Sequence, residues 1–324
     1  MYERELEAAA AAVREACRLT RAVQDQVVAA RARVLKADRS PVTVADLASQ
    51  VAISARLAAA FPDDLLMAEE DSAPFAQSPD LERRVLDLAR RALPDLTAEQ
   101  ARHGLDRAGH PGGGGRFWVL DPIDGTKGFL RGEQYAVALA MVEDGRVVVA
   151  ALGCPNLPLT AGDAAGARGC LLTAVRGRGA RQQALDGDAG RAIAVETEVE
   201  PATATACVSV EAEHSSHDLA QRLATAAGLT RPLRLVDSQC KYGLVARGEV
   251  TMYLRLPKSS TWREIAWDHA AGSLVVEEAG GRVTDFAGRD LDFSRRTLDV
   301  THGILASNRH IHDQVLAAAR EILG

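Results

Sequence analysis

Aromatic residues make up only 4% of this 324-residue chain, with three tryptophans and four methionines. Set beside abundant alanine, that scarcity calls for helices packed closely through small side chains. Cysteine is also sparse. Cys17, Cys154, Cys170, Cys207 and Cys240 are scattered, odd in number and form no Cys-x-x-Cys. This argues against a disulfide frame or a zinc site and points to reduced thiols in a cytoplasmic setting. Positive charge is not in excess: the formal net charge is −6, and no basic stripe or aromatic platform stands out. A nucleic-acid-binding role is therefore disfavoured, and a small phosphorylated ligand would need local cations or metal. No apolar run approaches the roughly 20 residues of a membrane span, and the charged start Tyr2-Glu3-Arg4-Glu5 is unlike a secretory signal. Gly112 to Gly115 lack the Lys-Ser/Thr ending of a phosphate-binding P-loop and read as a linker. What remains, 47% hydrophobic and 25% charged, is ordinary globular composition in a chain long enough for two domains.

Residues 3–36 carry Ala, Val and Leu at helical spacing against Arg and Glu, predicting one long helix. Ser40-Pro41-Val42-Thr43 breaks it. A second helix is expected from about Ala45 to Ala60, capped by Thr43 and stopped by Phe61-Pro62-Asp63-Asp64. Leu65–Ala68 reads as a short strand and 78–116 as another helix followed by the glycine loop. Ala136–Val142 and Arg146–Leu152 form a hairpin around Glu143-Asp144-Gly145, with further strands near 169–174 and 191–195. Glu196–Pro201 looks like a boundary. Beyond it strands (205–210, 233–237, 250–254) alternate with helices (216–227, 239–247, 268–278), suggesting an α/β domain after an α+β one, divided as 1–197 and 198–324.

The most informative run is Trp118-Val119-Leu120-Asp121-Pro122-Ile123-Asp124-Gly125-Thr126-Lys127-Gly128-Phe129. An apolar strand leads into two carboxylates three positions apart, then into Gly-Thr at a helix start. Carboxylates are hard ligands for Mg²⁺, and a helix start offers N–H groups and dipole to a phosphate. Alone, Asp121 and Asp124 fit an acidic helix cap equally well. Three further acidic clusters bear on the choice. Asp38 lies in a loop between helices, Glu69 and Glu70 end a short apolar strand, and Asp268 precedes a helix in Trp267-Asp268-His269-Ala270-Ala271-Gly272.

Taken together and in this order, the Glu pair, Asp-Pro-Ile-Asp-Gly-Thr and Trp-Asp-His-Ala-Ala-Gly resemble the lithium-sensitive, magnesium-dependent phosphomonoesterase superfamily of inositol monophosphatases, fructose-1,6-bisphosphatases and bisphosphate nucleotidases. The resemblance runs from Asp38 to about Asn308. It implies a two-domain layered αβαβα sandwich. Within the superfamily, Lys36 to Asp46, Gly125 to Tyr135, Leu152 to Leu157, Glu213 to Asp218, Asp237 to Gly243 and Tyr253 to Pro257 look like the nucleotidase branch. That branch hydrolyses 3′-phosphoadenosine 5′-phosphate to AMP and phosphate, a step of sulfur metabolism.

The resemblance implies Glu69, Asp121, the Ile123 carbonyl, Asp124 and Asp268 as ligands of two or three Mg²⁺, most of them in the first domain. It implies Thr126 and Asp38 as the pair that orients water and takes its proton, Asp38 being the final acceptor because a threonine hydroxyl is a poor base. Glu70 would hold a metal-bound water. The N–H groups of Gly125 and Thr126 would hold the scissile phosphate, and His214, Ser238, Lys241 and Arg255 the nucleotide and its second phosphate. His269 and His217 read as structural. The expected partner is a small nucleotide bisphosphate, with neither nucleic acid nor membrane, bound by a monomer. Rival readings are an inositol phosphate phosphatase and a non-catalytic nucleotide sensor. Ala68, where a glycine usually precedes the Glu pair, and the loop 258–264 depart from the pattern.

Overall fold

The computed structural model describes residues 1–31, 40–163, 165–197, 200–211, 216–257, 259 and 261–323. The chain opens with α1 (Glu3–Arg31) and α2 (Ser40–Ala60), then β1 (Leu65–Ala68). Three short helices follow, α3 (Ala73–Gln77), α4 (Pro79–Ala89) and α5 (Ala98–Asp106). Next come β2 (Arg116–Asp124), α6 (Thr126–Arg131), β3 (Ala136–Glu143), β4 (Arg146–Pro158), β5 (Arg168–Val175), β6 (Ala180–Ala184) and β7 (Gly190–Ile193). The second half holds β8 (Ala206–Val208), α7 (His217–Ala226), β9 (Arg234–Leu235), α8 (Cys240–Ala246) and β10 (Met252–Arg255). A 3₁₀ turn at Ala266–Asp268 leads into α9 (Ala270–Glu278), β11 (Arg282–Asp285), β12 (Ile304–Ser307) and α10 (His312–Leu323).

Among the described residues the strands form two sheets, a seven-stranded one ordered β1-β2-β3-β4-β5-β6-β7 and a five-stranded one ordered β11-β12-β10-β8-β9. α1 packs on one face of the first sheet through Ala9, Ala12, Val13 and Ala16, small residues at helical spacing that bring the backbone close. α8 and α9 fill the space between the sheets, and α7 and α10 cover the outer face of the second. Helix, sheet, helix, sheet, helix is the expected αβαβα sandwich.

Several boundaries differ from the sequence reading. α1 is helical to Arg31; the expected residues 32–36 lie outside the described part. α2 starts at Ser40 rather than near Ala45. Pro41 does not break it, because a first-turn proline loses no intrahelical bond, and Thr43 lies inside the helix instead of capping it. The single helix expected over 78–116 is two, α4 and α5. Ser78 caps α4 ahead of Pro79, Pro94 separates the helices, and Thr97 with Gln100 forms a capping box on α5. β6, β11, β12 and α10 went unread. β6 is Ala-Arg-Gln-Gln-Ala, a sequence that becomes a strand because β5 and β7 offer it partners on both sides. No described helix is long and apolar enough to cross a membrane.

Candidate active site

Strand register builds the acidic end of the site. β1 runs parallel to β2 with Leu65 opposite Phe117 and Ala68 opposite Leu120. Continuing that register one step sets Glu69 beside Asp121, which explains why the Glu pair must follow a short apolar strand. Residues three apart on a regular strand face opposite sides. β2 solves this with a bulge: Asp121 pairs with Ala138 but Asp124 with Ala136, so β2 spends three steps against two on β3. The extra residue rephases the strand, and both carboxylates enter one cleft. Pro122, with no N–H to pair, suits the interruption. The Asp121 carboxylate also accepts a hydrogen bond from the Ile123 N–H at 3.1 Å, which stiffens the turn.

Gly125 ends the turn in the left-handed region, at φ +86°, and a Cβ there would stand 2.8 Å from the Ser238 Cβ. Glycine is therefore required twice over, by conformation and by the approach of the 238 loop. Its carbonyl accepts the Phe129 N–H at 2.9 Å, starting α6 at Thr126. The Thr126 hydroxyl donates to the Ile123 carbonyl at 3.4 Å and is exposed to the cleft.

The second half of the chain supplies the opposite wall. Asp268 ends the 3₁₀ turn before α9. Gln239, 1% exposed, ties the two halves together. Its backbone N–H donates to Asp124 Oδ2, its side-chain amide donates to the Trp267 carbonyl at 2.8 Å, and its side-chain oxygen accepts from the Gly272 N–H at 3.0 Å. Ser238 is held at φ +64°, its hydroxyl accepting from the Cys240 N–H at 3.2 Å. Lys241 on α8 is buried, donating to the Val236 carbonyl at 3.1 Å with its ammonium 5.1 Å from the Tyr253 ring centre. Arg255 ends β10 and is buried against Glu264.

These side chains meet in one cleft of about 410 Å³. Glu69, Asp121, Ile123, Asp124, Gly125, Thr126, Ser238, Lys241, Arg255 and Asp268 all line it. Glu70 does not. Its backbone is gripped in both directions by the Gln50 side chain, at 2.6 and 3.1 Å, turning it toward α2. Asp38 and His214 lie outside the described residues. The sequence reading gave no role to Asp46 or Gln239. Asp46 is buried on α2, where burial and then Glu70 and Glu69 push its carboxyl well up. A lone acid in an otherwise apolar stretch of helix, Val44-Ala45-Asp46-Leu47-Ala48, was the available signal.

The electrostatics are those of an anionic end awaiting positive charge. Asp121 is raised well above the usual carboxylate range by burial, then by Glu69, Asp124 and Asp268. Glu69 is raised to about 7 by burial, then by Glu70 and Asp124. Burial raises Asp124 too, against the opposing pull of Lys241, the Gln239 N–H and Arg255. Asp268 is likewise raised well up by burial, opposed by Arg255. Four carboxylates and a carbonyl form an all-oxygen set suited to hard divalent cations. Glu264, Asp268 and His269 also bring ligand atoms within 4.8 Å of one another. Glu264 and His269, however, are hydrogen-bonded to Arg255 and Tyr242, and Asp268, 3.7 Å from Arg255 Nη2, is the member of that trio that lines the cleft.

A two-sheet αβαβα sandwich with an acidic strand-end turn, a left-handed glycine and an aspartate before a central helix defines a class of metal-assisted phosphomonoesterases. The chain belongs to the inositol monophosphatase family, whose model matches residues 2–323. It is 39% identical to a 3′(2′),5′-bisphosphate nucleotidase of Schizosaccharomyces pombe, covering 99% of this chain and 96% of that protein. It is 41% identical to one of Oryza sativa, covering 99% and 95%. Among solved structures, Mycobacterium tuberculosis SuhB superposes with a TM-score of 0.64 at 24% identity, covering 99% of this chain and 97% of that one. CysQ of Bacteroides thetaiotaomicron superposes at 0.62 with 20% identity, covering 96% and 99%. At these identities the two structures speak for the fold.

Proposed function

We propose that this chain is a phosphomonoesterase that hydrolyses 3′-phosphoadenosine 5′-phosphate. Water attacks the 3′-phosphorus, the bond to the 3′-oxygen breaks, and AMP and inorganic phosphate leave. The observation that carries this reading is the mixed charge of the cleft. The carboxylates of Glu69, Asp121, Asp124 and Asp268 line it together with the buried cations Lys241 and Arg255, Arg255 standing 3.7 Å from Asp268, so the cleft offers both oxygen ligands for cations and fixed positive charge for a second phosphate. The nucleotidase names borne by close relatives point to the same substrate.

In this reading Glu69, Asp121, Asp124, Asp268 and the Ile123 carbonyl hold two or three Mg²⁺, with Glu70 supporting from behind. When bound, Mg²⁺ supplies charge neutralisation and Lewis-acid polarisation at the phosphoryl group. The N–H groups of Gly125 and Thr126 donate to the scissile phosphate at the start of α6. The Thr126 hydroxyl positions the attacking water. A carboxylate acting as general base takes its proton, and Asp38 and Asp46 are the candidates. Ser238, Lys241, Arg255 and His214 take the nucleotide and its 5′-phosphate, the guanidinium giving planar, directional hydrogen bonds that suit a dianion.

The test is a panel of phosphate-release assays on the bisphosphate, its sulfated 5′-phosphosulfate form, 3′-AMP and inositol 1-phosphate, each with Mg²⁺ and with EDTA. Turnover of the bisphosphate should be metal-dependent and fastest against inositol phosphate. Faster release from inositol 1-phosphate would assign the polyol instead. Tight nucleotide binding without phosphate release would make the protein a sensor.

A further inference from the structure

Behind Arg255 lies a chain of hydrogen bonds through four elements. Glu264 is 1% exposed. Its carboxylate accepts from Arg255 Nε at 3.1 and 3.2 Å and from Nη2 at 3.0 Å. His269 Nε2 meets the same carboxylate at 3.1 Å, and Tyr242 Oη meets His269 Nδ1 at 2.8 Å. The Trp262 ring sits against the guanidinium at 5.7 Å. Burial alone would raise the Glu264 carboxyl, but Arg255 and His269 more than offset it and hold it well below the usual range. Two guanidinium nitrogens are thus committed. Among the described residues nothing hydrogen-bonds Nη1, although Arg255 lines the cleft. Asp268 Oδ2 stands only 3.7 Å from Nη2.

We infer that Glu264 is a positioning residue for recognition of the 5′-phosphate: it clamps Arg255 by Nε and Nη2, presents Nη1 to the cleft, and prevents the guanidinium from closing on Asp268. The inference rests on the nucleotidase reading. A buried guanidinium needs a counter-charge, and without Glu264 the available one is Asp268. Collapse onto Asp268 would turn the fork away from an incoming phosphate and occupy a carboxylate that the acidic end needs. Glu264 supplies the counter-charge along the Nε–Nη2 edge of the guanidinium. His269, bonded in turn to Tyr242 on α8, fixes the carboxylate's orientation, as outer hydrogen bonds fix ligands elsewhere.

The test is a double-mutant cycle read in Mg²⁺ by the calorimetric Kd for AMP and by KM for the bisphosphate and for 3′-AMP, which lacks the 5′-phosphate. Glu264→Gln should weaken AMP and raise the bisphosphate KM roughly tenfold, the loss expected for a misdirected charged hydrogen bond. The KM for 3′-AMP should move less than twofold. In an Arg255→Ala background, Glu264→Gln should cost nothing further, because its effect passes through Arg255. Glu264→Asp, which keeps the charge on a shorter arm, should fall between wild type and Gln, and it decides the matter should the Gln variant fail to melt cooperatively. Unchanged AMP affinity, an equal rise in KM for 3′-AMP, or a full loss persisting without Arg255 would overturn the assignment. A wild-type protein that binds no AMP and spares the bisphosphate would instead overturn the nucleotidase reading, and the inference with it.

Discussion

Asp121→Asn separates the cost of an acidic site from its use. Asp121 is 2% exposed and faces Glu69, Asp124 and Asp268. Asparagine keeps the shape, and its Oδ1 can still accept the Ile123 N–H that holds the turn. What disappears is one of four crowded negative charges. Two unit charges a few ångströms apart repel by roughly 3–4 kcal/mol at an effective dielectric of about 20. Protonation within the cluster relieves part of that, so metal-free protein should gain about 1–2 kcal/mol, or roughly 2–4 °C in Tm for a chain of this size. Mg²⁺ should reverse the order. At a hundredfold excess over Kd, ligand binding adds about 2.7 kcal/mol to wild type, while the variant, lacking the central ligand, gains little. Turnover should drop by roughly 10³-fold or more, since charge stabilisation at the phosphoryl group supplies several kcal/mol. The assay is thermal melting of both proteins in EDTA and across a Mg²⁺ series, beside phosphate release. A lower Tm for the variant in EDTA, or an undiminished rise with Mg²⁺, would refute the placement of Asp121 at the centre of a cation site.

Three further outcomes are expected. Gly128→Ala on α6 would set a Cβ against the Gln134 carbonyl and 2.6 Å from Asp237 Oδ2, both fixed by neighbouring chain; it should destabilise by about 1–3 kcal/mol in urea unfolding and strain the Arg131–Asp237 ion pair at 2.7 Å. Thr126→Ala should lower kcat roughly 10²-fold with KM nearly unchanged, as for loss of a group that aids proton removal from water; an equal rise in KM would make Thr126 a binding residue instead. His312 is fully buried between Thr284 Oγ1 (2.9 Å) and Ser307 Oγ (2.8 Å), and burial, with Arg282 adding to it, pushes its pKa down to about 4. The unfolded chain therefore binds the extra proton first, so this contribution is present above about pH 6.5 and is lost as pH falls toward 4, by about 3 kcal/mol. The stability difference between wild type and His312→Gln should shrink by that amount over the same range, and a flat difference would remove His312 as the cause.

Much of the fold was legible because its signals are local. Two continuous apolar runs and a tight turn marked the β3–β4 hairpin, and the caps at Ser78-Pro79 and Thr97-x-x-Gln100 were present even where one helix was read for two. The strands of the second sheet were harder. β8, β9 and β10 fall within or beside the strands expected at 205–210, 233–237 and 250–254, but β11 and β12, four residues each, went unread because antiparallel pairing of β12 with β10 and β11 makes them strands. In the site, the acidic residues stood out by type and order, yet the direction of each side chain did not. Arg255 read as a cation at the end of a strand, while Glu264, nine positions on in a loop, carried no pattern that would pair the two.

The order Glu69, Asp121, Asp124, Gly125, Thr126, Asp268 is a property of the sequence alone. It offers hard oxygen donors and a glycine-led helix start, because residue type sets donor hardness and glycine permits the left-handed turn. Which of these groups face one another is a property of the folded chain. A parallel register sets Glu69 beside Asp121, a single extra residue at Pro122 turns Asp124 to the same side, and Gln239 spans the two halves to hold Asp268 opposite. The β1–β2 register joins segments about fifty residues apart and Gln239 reaches Asp124 across 115, so only tertiary packing brings these groups together.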